Sequence, residues 1–550
     1  MNKNVKNVLI IIGILIILLV GIAFYFMIND KKTSSSSEDN TSSSAILTIE
    51  ETNDSTILDD IDFTNYYSET INLSNSITIS KEGVYYISGT LENGSITINT
   101  NGNVKLVLNN VSISNSSGPA INIINCDVTY IELVGNNTIN ATVSDEEDGA
   151  IYSSDDLILL GDGTLNIKSN IDGIVSKDDL MFISGTYNLT TTDDGIRGKD
   201  SLTIKDGVFN ITSNGDAIKT TNEEKGSIYI ENGKFTINSY MDGIDSISTL
   251  TIKNGEFEIT SGKDNSSSSD STKGIKAASN ILIENATLKI VSNDDAIHSN
   301  LAITINNGVF TLSSNDDGIH ADNTININGG NININKSYEG IEANYIIISG
   351  GNIKVVSSDD GINVSGGSNS NNSNNMMGRK DEFSDNGGYL KITGGTLNVN
   401  SSGDGLDSNG SIYMSGGYVS VDGPTNNGNG ALDYNGTFDI SGGTLIAVGS
   451  SGMAENVSSS STQNTIQINL SSSNNGTIEF GGISYTPTKS YQNIVISSSD
   501  LELNKEYTLK INGSSIGTYS LTSTVTSNGG STMGGNMQGG MNQGGMGGRR

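Results

Sequence analysis

Residues 193–202 read DDGIRGKDSL, and the Asp-Gly-Ile tripeptide inside this stretch, or a close relative of it, recurs down the chain. The position of its acid usually advances by 22, as from 172 to 194 and from 194 to 216; three longer intervals indicate loop insertions, and one of 44 is interpreted as two periods. A fixed period of this size predicts stacked structural repeats. Aligned on the acidic position, the series consists of Asp148, Asp172, Asp194, Asp216, Asp242, the degenerate Lys273, Asp295, Asp317, Glu339, Asp360 and Asp404.

Within one repeat, residues 194–213, apolar and polar residues alternate with a period of two, and no segment has helical periodicity. Short strands are predicted at 195–197, 202–204 and 208–212, separated by corners of Gly, Asp and Lys. Three such strands make one rung, and rungs of this kind stack into an all-β, single-stranded parallel β-helix. We predict roughly a dozen rungs of about 22 residues each.

The N-terminus carries an apolar run at residues 8–28, which is long enough to span a bilayer. Lys3 and Lys6 precede it and no small-residue cleavage site follows, so we predict an uncleaved single-pass anchor in the cell membrane with an extracellular β-helix. The predicted organisation is a membrane anchor at 1–28, a flexible Ser-rich linker at 29–59, an N-terminal β cap at 60–117, the parallel β-helix at 118–450, a C-terminal β cap at 451–526 and a disordered Gly- and Met-rich tail at 527–550.

Residues one period apart lie one above another in such a stack, so the repeat acids form a column of like charges. Carboxylates about 4.8 Å apart repel by roughly 1 kcal/mol in bulk water, and a Ca²⁺ ion with oxygen ligands at about 2.3–2.6 Å can lie between them. Ordinary corner chemistry, in which Asp bonds the local backbone and Gly supplies a positive φ, is the alternative. We predict calcium, because extra acids such as Asp294, Asp316 and Asp359 exceed what a turn needs. The predicted ligands are Asp148, Asp172, Asp193, Asp194, Asp216 and Asp242, with Asp178, Asp179 and Asp200 at the next corner.

Three residues after each repeat acid lies a second column, which we predict to face solvent. With Lys177, Lys199 and Lys219, its member Arg197 forms a basic island on a chain of net charge −32, so we predict that these four residues bind an acidic ligand. The alternative is that these cations neutralise the acids beside them. The column consists of Arg197, Lys219, Asp245, Lys276, His298, His320, Glu342, Asn363 and Asp407.

His298, His320 and Glu342 could in principle ligate a transition metal. Because they are spaced by a full rung each, they would converge poorly on a small ion, and we predict a solvated face instead. The single Cys126 is predicted to fill space in the core.

The motifs at residues 150–157, 172–180 and 193–202 resemble the signature of bacterial surface proteins described as carbohydrate-binding domain-containing proteins. The resemblance covers roughly residues 60–450 and extends to the Gly- and Met-rich tail. It implies a right-handed parallel β-helix akin to polysaccharide lyases, bound calcium, and binding of plant cell-wall polysaccharides, including acidic ones. Ala217 and Ala296 in place of Gly, and Lys273 in place of Asp, depart from the signature.

Three functions follow from these observations. The first is calcium-dependent binding of a polysaccharide, such as polygalacturonate or cellulose, at the cell surface. The second is a polysaccharide lyase that uses Arg197 or a lysine as base, and the third is a structural adhesin that binds protein partners. We favour binding, because the sequence shows no catalytic constellation. Nucleic-acid binding is not predicted, since the chain is acidic and lacks a basic stripe.

Overall fold

The computed structural model describes residues 61–144, 149–262, 271–365 and 387–528. Over these ranges the chain forms 47 β-strands and one 3-10 turn at Phe63–Asn65, with no α-helix. None of the described residues belongs to a helix long and apolar enough to cross a membrane. The anchor predicted at residues 8–28, the linker at 29–59 and all but the first two residues of the predicted tail lie outside these ranges.

Most strands are short, and Gly, Asn, Asp and Ser occupy many of the corners between them. The strands before residue 263 are β1 (Ser68–Leu73), β2 (Ile77–Ile79), β3 (Gly83–Leu91), β4 (Ile96–Asn99), β5 (Val104–Asn115), β6 (Ile121–Asn125), β7 (Val128–Val134), β8 (Asn136–Ala141), β9 (Gly149–Ser153), β10 (Asp156–Gly161), β11 (Thr164–Ser169), β12 (Asp172–Ser176), β13 (Asp179–Phe182), β14 (Thr186–Thr191), β15 (Ile196–Gly198), β16 (Ser201–Ile204), β17 (Val208–Ser213), β18 (Ile218–Thr220), β19 (Ser227–Ile230), β20 (Lys234–Ser239), β21 (Ile244–Ser246), β22 (Leu250–Ile252) and β23 (Glu256–Thr260). The strands after residue 270 are β24 (Ile275–Ala277), β25 (Asn280–Ile283), β26 (Ala286–Val291), β27 (Ile297–Ser299), β28 (Ala302–Ile305), β29 (Gly308–Ser313), β30 (Ile319–Ile327), β31 (Asn331–Lys336), β32 (Ile341–Ile348), β33 (Asn352–Ser357), β34 (Ile362–Val364), β35 (Tyr389–Ile392), β36 (Thr396–Ser401), β37 (Leu406–Ser408), β38 (Ser411–Asp422), β39 (Leu432–Tyr434), β40 (Phe438–Gly449), β41 (Thr465–Asn474), β42 (Ile478–Phe480), β43 (Ile483–Tyr485), β44 (Tyr491–Ser497), β45 (Glu506–Ile511), β46 (Ser514–Ser520) and β47 (Val525–Asn528).

These strands pair in three parallel ladders, one for each side of a rung. Strands β15, β16 and β17 form one rung and pair with β18, β19 and β20 of the next; we name their ladders A, B and C. Paired residues are usually one sequence period apart, as Ile196 and Ile218 are. The result is a parallel β-solenoid of about 15 rungs with about 22 residues in each, which confirms the predicted all-β parallel fold. Right-handed winding stays a prediction.

Two stretches of the solenoid differ from the sequence-based expectation. The long interval after Asp360 is a single rung and not two periods, because Ile362 pairs directly with Leu406. At the N-terminal end, Ser68 on β1 pairs with Val84 on β3, and Gly83 on β3 pairs with Val104 on β5, in one parallel ladder. The sequence position therefore advances by 16 (68 to 84) and by 21 (83 to 104), and these unequal steps conceal the early rungs from a search at one fixed period.

The C-terminal strands change direction. Strand β44 pairs antiparallel with β40, the last strand of ladder C, and β41 in turn pairs antiparallel with β44. Strands β43, β42, β45 and β46 form a separate antiparallel sheet over a second apolar core. Strand β44 therefore covers the open backbone edge of ladder C at this end, where an unpaired strand would be prone to association.

Stacked identical side chains fill the interior. On ladder A, Ile174, Ile196 and Ile218 lie on successive rungs, and all are fully buried. On ladder C the rings of Tyr187, Phe209, Phe235 and Phe257 stack with centroid separations of 5.0, 4.9 and 4.4 Å and nearly parallel planes. A rung cannot bury these side chains by itself, so each rung is stabilised by its two neighbours.

The glycine of the Asp-Gly-Ile motif is required for close packing. A Cβ added to Gly195 would lie 2.5 Å from the carbonyl oxygen of Ala217 in the next rung and 2.6 Å from Cγ2 of Ile211. The φ of Gly195 is not positive, whereas Gly207, at the corner between ladders B and C, has a φ of 143°. The expectation that the motif glycine supplies a positive φ is therefore wrong at this position.

The aromatic stack yields the first testable prediction. Phe235→Ala removes the middle of the stack, and we expect the free energy of unfolding to fall by about 3–5 kcal/mol. Val309→Ala, at an exposed valine, is the matched control and should change it by about 0.5 kcal/mol or less. Urea unfolding followed by circular dichroism measures both, and equal midpoints in the two variants would contradict the role of the stack.

Candidate functional site

The repeat acids form a continuous column at the corner before ladder A. In most rungs one oxygen of the acid accepts the backbone N–H of the residue at the same position one rung on: Asp194 donates to Asp172 Oδ1 at 2.9 Å, and Asp216 donates to Asp194 Oδ1 at 2.9 Å. We call this the acidic column; its described members are Asp172, Asp194, Asp216, Asp242, Asp295, Asp317, Glu339, Asp360 and Asp404, and the predicted ligand Asp148 lies outside the described residues. Aspartate at this corner therefore has a structural task between rungs, and its second oxygen is left for another partner.

In the rungs nearer the N-terminus, which we call the lower rungs, that second oxygen faces a cation. Arg197 Nη2 lies 2.6 Å from Asp172 Oδ2, and Lys219 Nζ lies 2.6 Å from Asp216 Oδ2 and 4.0 Å from Asp194 Oδ2. The Arg197 side chain is only 12% exposed. The prediction of an outward solvent face is wrong here, because the outward residue of a three-residue strand lies directly beside the corner acids.

The predicted basic island is divided between two corners. Arg197 and Lys219 are register partners on ladder A and both turn onto the acidic column. Lys177 and Lys199 lie at the following corner, between ladders A and B, and Lys199 is exposed. For Arg197 and Lys219 the geometry favours the alternative of charge neutralisation. The ion pair with Asp172 stabilises the protonated form of Arg197, which disfavours its use as a base.

Asp242 and Asp193 complete the predicted ligands around the acidic column. Asp242 Oδ2 lies 3.3 Å from Lys276 Nζ, so a cation from the next rung faces this acid. Asp193, which is exposed, brings a carboxylate oxygen within 4.8 Å of those of Asp172 and Asp194. Burial raises the pKa of Asp172 to about 6, and Arg197 opposes that rise.

The second predicted ladder of acids also forms contacts. Asp178 and Asp179 each offer an oxygen, and these lie within 4.8 Å of each other and of an oxygen of Asp156. Burial, followed by the charge of Asp178, raises the pKa of Asp156 to about 6. Asp200 differs, since it accepts hydrogen bonds from Lys225 at 2.7 Å and Asn222 at 2.6 Å. Although burial alone raises it, these bonds hold the pKa of Asp200 below its ordinary value.

The upper rungs carry acids without cations. The position three residues after the acid, which holds Arg197 and Lys219 below, is occupied by Glu342, Asn363 and Asp407. Among the residues that the structure describes, no carboxylate of this region takes part in an ion pair, although all are half-buried. We call this set the upper acidic cluster; it consists of Glu339, Glu342, Asp360, Asp404, Asp407, Asp433 and Glu455.

Titration of the upper acidic cluster reflects its uncompensated charge. Burial, followed by repulsion from neighbouring carboxylates, raises the pKa of Asp407 to about 8. Burial raises the pKa of Asp404 to about 7 and that of Glu339 to about 8, with Asp433 and Glu342 adding to the respective rises. At neutral pH this region therefore binds protons unless another cation is supplied.

Asn363 adds an unpartnered oxygen to this corner. Its side chain is 8% exposed, and its Nδ2 donates to Glu339 Oε2 at 2.6 Å. Its Oδ1 has no hydrogen-bond donor within the described part of the chain. A buried oxygen left in this state costs about 1–3 kcal/mol. Ca²⁺ takes six to eight oxygens from carboxylates and amide carbonyls, and Glu339, Glu342, Asp360, Asn363 and Asp407 offer oxygens of this type.

An aromatic strip flanks the upper acidic cluster on ladder B. The Tyr345 and Tyr389 ring centroids are 5.1 Å apart, and those of Tyr389 and Tyr413 are 6.3 Å apart. Tyr413 is 42% exposed, and Tyr345 shares strand β32 with Glu342. We call these three residues the tyrosine strip. The contact between Tyr345 and Tyr389 could not be found from the sequence period, because Tyr389 lies beyond the insertion that lengthens this rung.

Comparison with known proteins identifies the family. A model of the carbohydrate-binding domain-containing protein family matches residues 74–318 and 313–543. The chain belongs to this family. The resemblance noted in the sequence is thereby confirmed for the family, whereas calcium is not part of the match.

A solved structure described as "the polysaccharide lyase-like protein from C. thermocellum, Gadolinium derivative" is 23% identical, with a TM-score of 0.28; the alignment covers 46% of this chain and 89% of that one. No curated protein matches the chain.

The raised carboxyl pKa values yield a prediction for this carbohydrate-binding domain-containing protein. In the folded chain Glu339, Asp404 and Asp407 hold protons to about pH 7–8, but in the unfolded chain only to about pH 4. Their contribution to stability is therefore complete below about pH 4 and is lost as the pH rises through 7–8. In chelator, we expect the thermal unfolding midpoint to fall from pH 5 to about pH 8 and to change little from there to pH 9, because these values define a window of about pH 4 to 8.

Asp407→Asn is the matched variant for this experiment. It removes one of the titrating groups while keeping the shape of the side chain, so the decline between pH 5 and pH 9 should become shallower, by an amount on the order of 1 kcal/mol or more. A midpoint that rises with pH in the unsubstituted protein would contradict the assignment.

Proposed function

We propose that the protein binds polysaccharide along the tyrosine strip, and that Ca²⁺ held by the upper acidic cluster links it to acidic polymers of the polygalacturonate kind. Membership of a carbohydrate-binding family supports the general function. The observation that carries the finer proposal is a carboxylate cluster without ion pairs on the same rungs as an aromatic strip, of which Tyr413 is exposed and Tyr345 and Tyr389 are half-buried.

Charge supports calcium at this end of the column. Arg197, Lys219 and Lys276 supply cations to the lower rungs, and these groups leave little need for an added ion there. The upper rungs combine carboxylates with the unpartnered Oδ1 of Asn363, an all-oxygen set that suits a hard cation. The sequence predicted calcium on the rungs from Asp148 to Asp242. The site proposed here lies on later rungs, at the upper acidic cluster.

Chemistry of sugars supports the tyrosine strip as the contact surface. A pyranose ring has apolar C–H faces and polar edges, and tyrosine offers a flat apolar ring with a hydroxyl at its tip. Tyr345, Tyr389 and Tyr413 present three rings along neighbouring rungs. A uronate residue stacked on Tyr345 would direct its carboxylate toward the corner of Glu342, where calcium would bind it.

Binding is favoured over cleavage in this proposal. Arg197, the candidate base of a lyase, is held by Asp172 on lower rungs than the tyrosine strip. Location at the cell membrane, with the solenoid outside the cell, stays a prediction that rests on residues 8–28.

Calcium and polymer binding can be tested together. We expect the full-length protein to be retained on polygalacturonate in Ca²⁺ and released by chelator, without forming unsaturated product. Asn363→Ala should weaken calcium binding measured by calorimetry, since it removes one oxygen ligand; a loss of about 1.4 kcal/mol corresponds to tenfold. Asp206→Asn, an exposed acid at a different corner, is the control and should bind calcium normally. Retention that chelator does not change would exclude a calcium link.

The tyrosine strip has its own test. Tyr389→Ala removes the central ring, and we expect weaker retention on polygalacturonate by about 0.5–1.5 kcal/mol, roughly two- to twelvefold. Tyr240→Ala is the control, because Tyr240 is a 42% exposed tyrosine that lies outside the strip. Retention on cellulose distinguishes a strip that accepts neutral polymers from one that needs uronates. Retention on neither polymer would favour an adhesin with protein partners.

A further inference from the structure

The two histidines of the chain lie one above the other. His298 on β27 and His320 on β30 are register partners, and their ring centroids are 4.8 Å apart with planes at 85°. His298 is buried and His320 is half-buried. The expectation that both belong to a solvated face is wrong, because both rings turn onto the acidic column as Arg197 does.

Both rings direct the same nitrogen toward the acids. His298 Nδ1 lies 2.7 Å from Asp295 Oδ2, and His320 Nδ1 lies 3.5 Å from both Asp295 Oδ2 and Asp317 Oδ2. The Oδ1 atoms of these aspartates accept backbone N–H groups of the next rung, so the column itself orients the Oδ2 atoms toward the histidines. Ligand atoms of Asp295, His298 and His320 therefore lie within 4.8 Å of one another, and Asp317 adds an oxygen 3.5 Å from His320 Nδ1.

The outer nitrogen of His298 also has an acceptor. His298 Nε2 lies 2.9 Å from Asn300 Oδ1, whereas His320 Nε2 lies 3.8 Å from Asp322 Oδ1, beyond hydrogen-bond distance. An oxygen behind the second ring nitrogen is the usual arrangement of a metal-binding histidine, because it fixes the tautomer and points the first nitrogen at the ion. This feature is independent of the acids.

We propose that His298, His320, Asp295 and Asp317 bind a first-row transition metal ion of the Zn²⁺ class. A tetrahedral ion with bonds of about 2.0–2.1 Å separates its ligand atoms by about 3.3–3.4 Å. His320 Nδ1 lies 3.5 Å from the oxygens of both Asp295 and Asp317, close to this separation. The 2.7 Å distance between His298 and Asp295 is a hydrogen bond, which opens by about 0.6 Å when the ion replaces the proton. Imidazole ligands separate this site from calcium, which prefers oxygen.

Two neighbours influence the site. Lys273 Nζ lies 3.0 Å from Asp295 Oδ2 and 2.7 Å from Asp294 Oδ1, so it keeps a carboxylate partner when the metal takes Asp295. Glu342 brings a carboxylate oxygen within 4.8 Å of ligand atoms of Asp317 and His320, and provides a further ligand for an ion that expands its coordination.

Cobalt is a direct probe of this proposal. We expect Co²⁺ added to chelator-treated full-length protein to give visible absorption bands that Zn²⁺ removes and excess Ca²⁺ does not. His298→Gln and His320→Gln should each weaken Co²⁺ binding by at least tenfold, and Asn300→Ala by about tenfold through the ring it orients. Asp206→Asn is the control with unchanged bands. Bands that Ca²⁺ displaces, or that persist in both histidine variants, would overturn the proposal.

A measurement on the unsubstituted protein covers variants that fail to fold. Since the chain has only two histidines, its imidazole proton resonances belong to His298 and His320 alone. We expect Co²⁺ to shift both sets of resonances together at stoichiometric metal. Resonances that stay in place while Co²⁺ is added would exclude metal binding at this pair.

Discussion

The bond between an aspartate oxygen and the backbone N–H of the next rung is the constraint on which the site depends. Asp172, Asp194 and Asp216 each use Oδ1 in this way, so the acid cannot turn away from the column. The close approach of rungs at Gly195 keeps this geometry constant from one rung to the next. A row of carboxylates with one oxygen committed and one available is therefore a consequence of stacking.

The groups that face the buried carboxylates change along the acidic column. In the lower rungs Arg197 and Lys219 place cations beside the acids, whereas around His298 and His320 the partners of the acids are imidazole nitrogens. Above, Glu342 and Asp407 add charge instead of removing it. The change depends on the residue three positions after each acid, and this position therefore determines what each rung can bind.

Much of the fold could be predicted from the Asp-Gly-Ile period, because residues one period apart must meet in a stack and Ile174, Ile196 and Ile218 do so. The period could not reveal the rungs built from β1, β3 and β5, whose lengths vary, nor the meeting of Tyr345 with Tyr389 across an insertion. The direction of Arg197 was also missed, because strand alternation distinguishes inside from outside but does not show which outward group lies beside a corner acid.

Unequal rung lengths have a consequence for how such a protein diversifies. Ser68 pairs with the nearby Val84, and Ile362 pairs with the distant Leu406, yet both pairs belong to continuous parallel ladders. Corners thus absorb insertions and deletions while the stacked strands keep their neighbours. The length of a corner loop can therefore change without disturbing the acidic column, so the outer surface can vary while the stacked interior is kept.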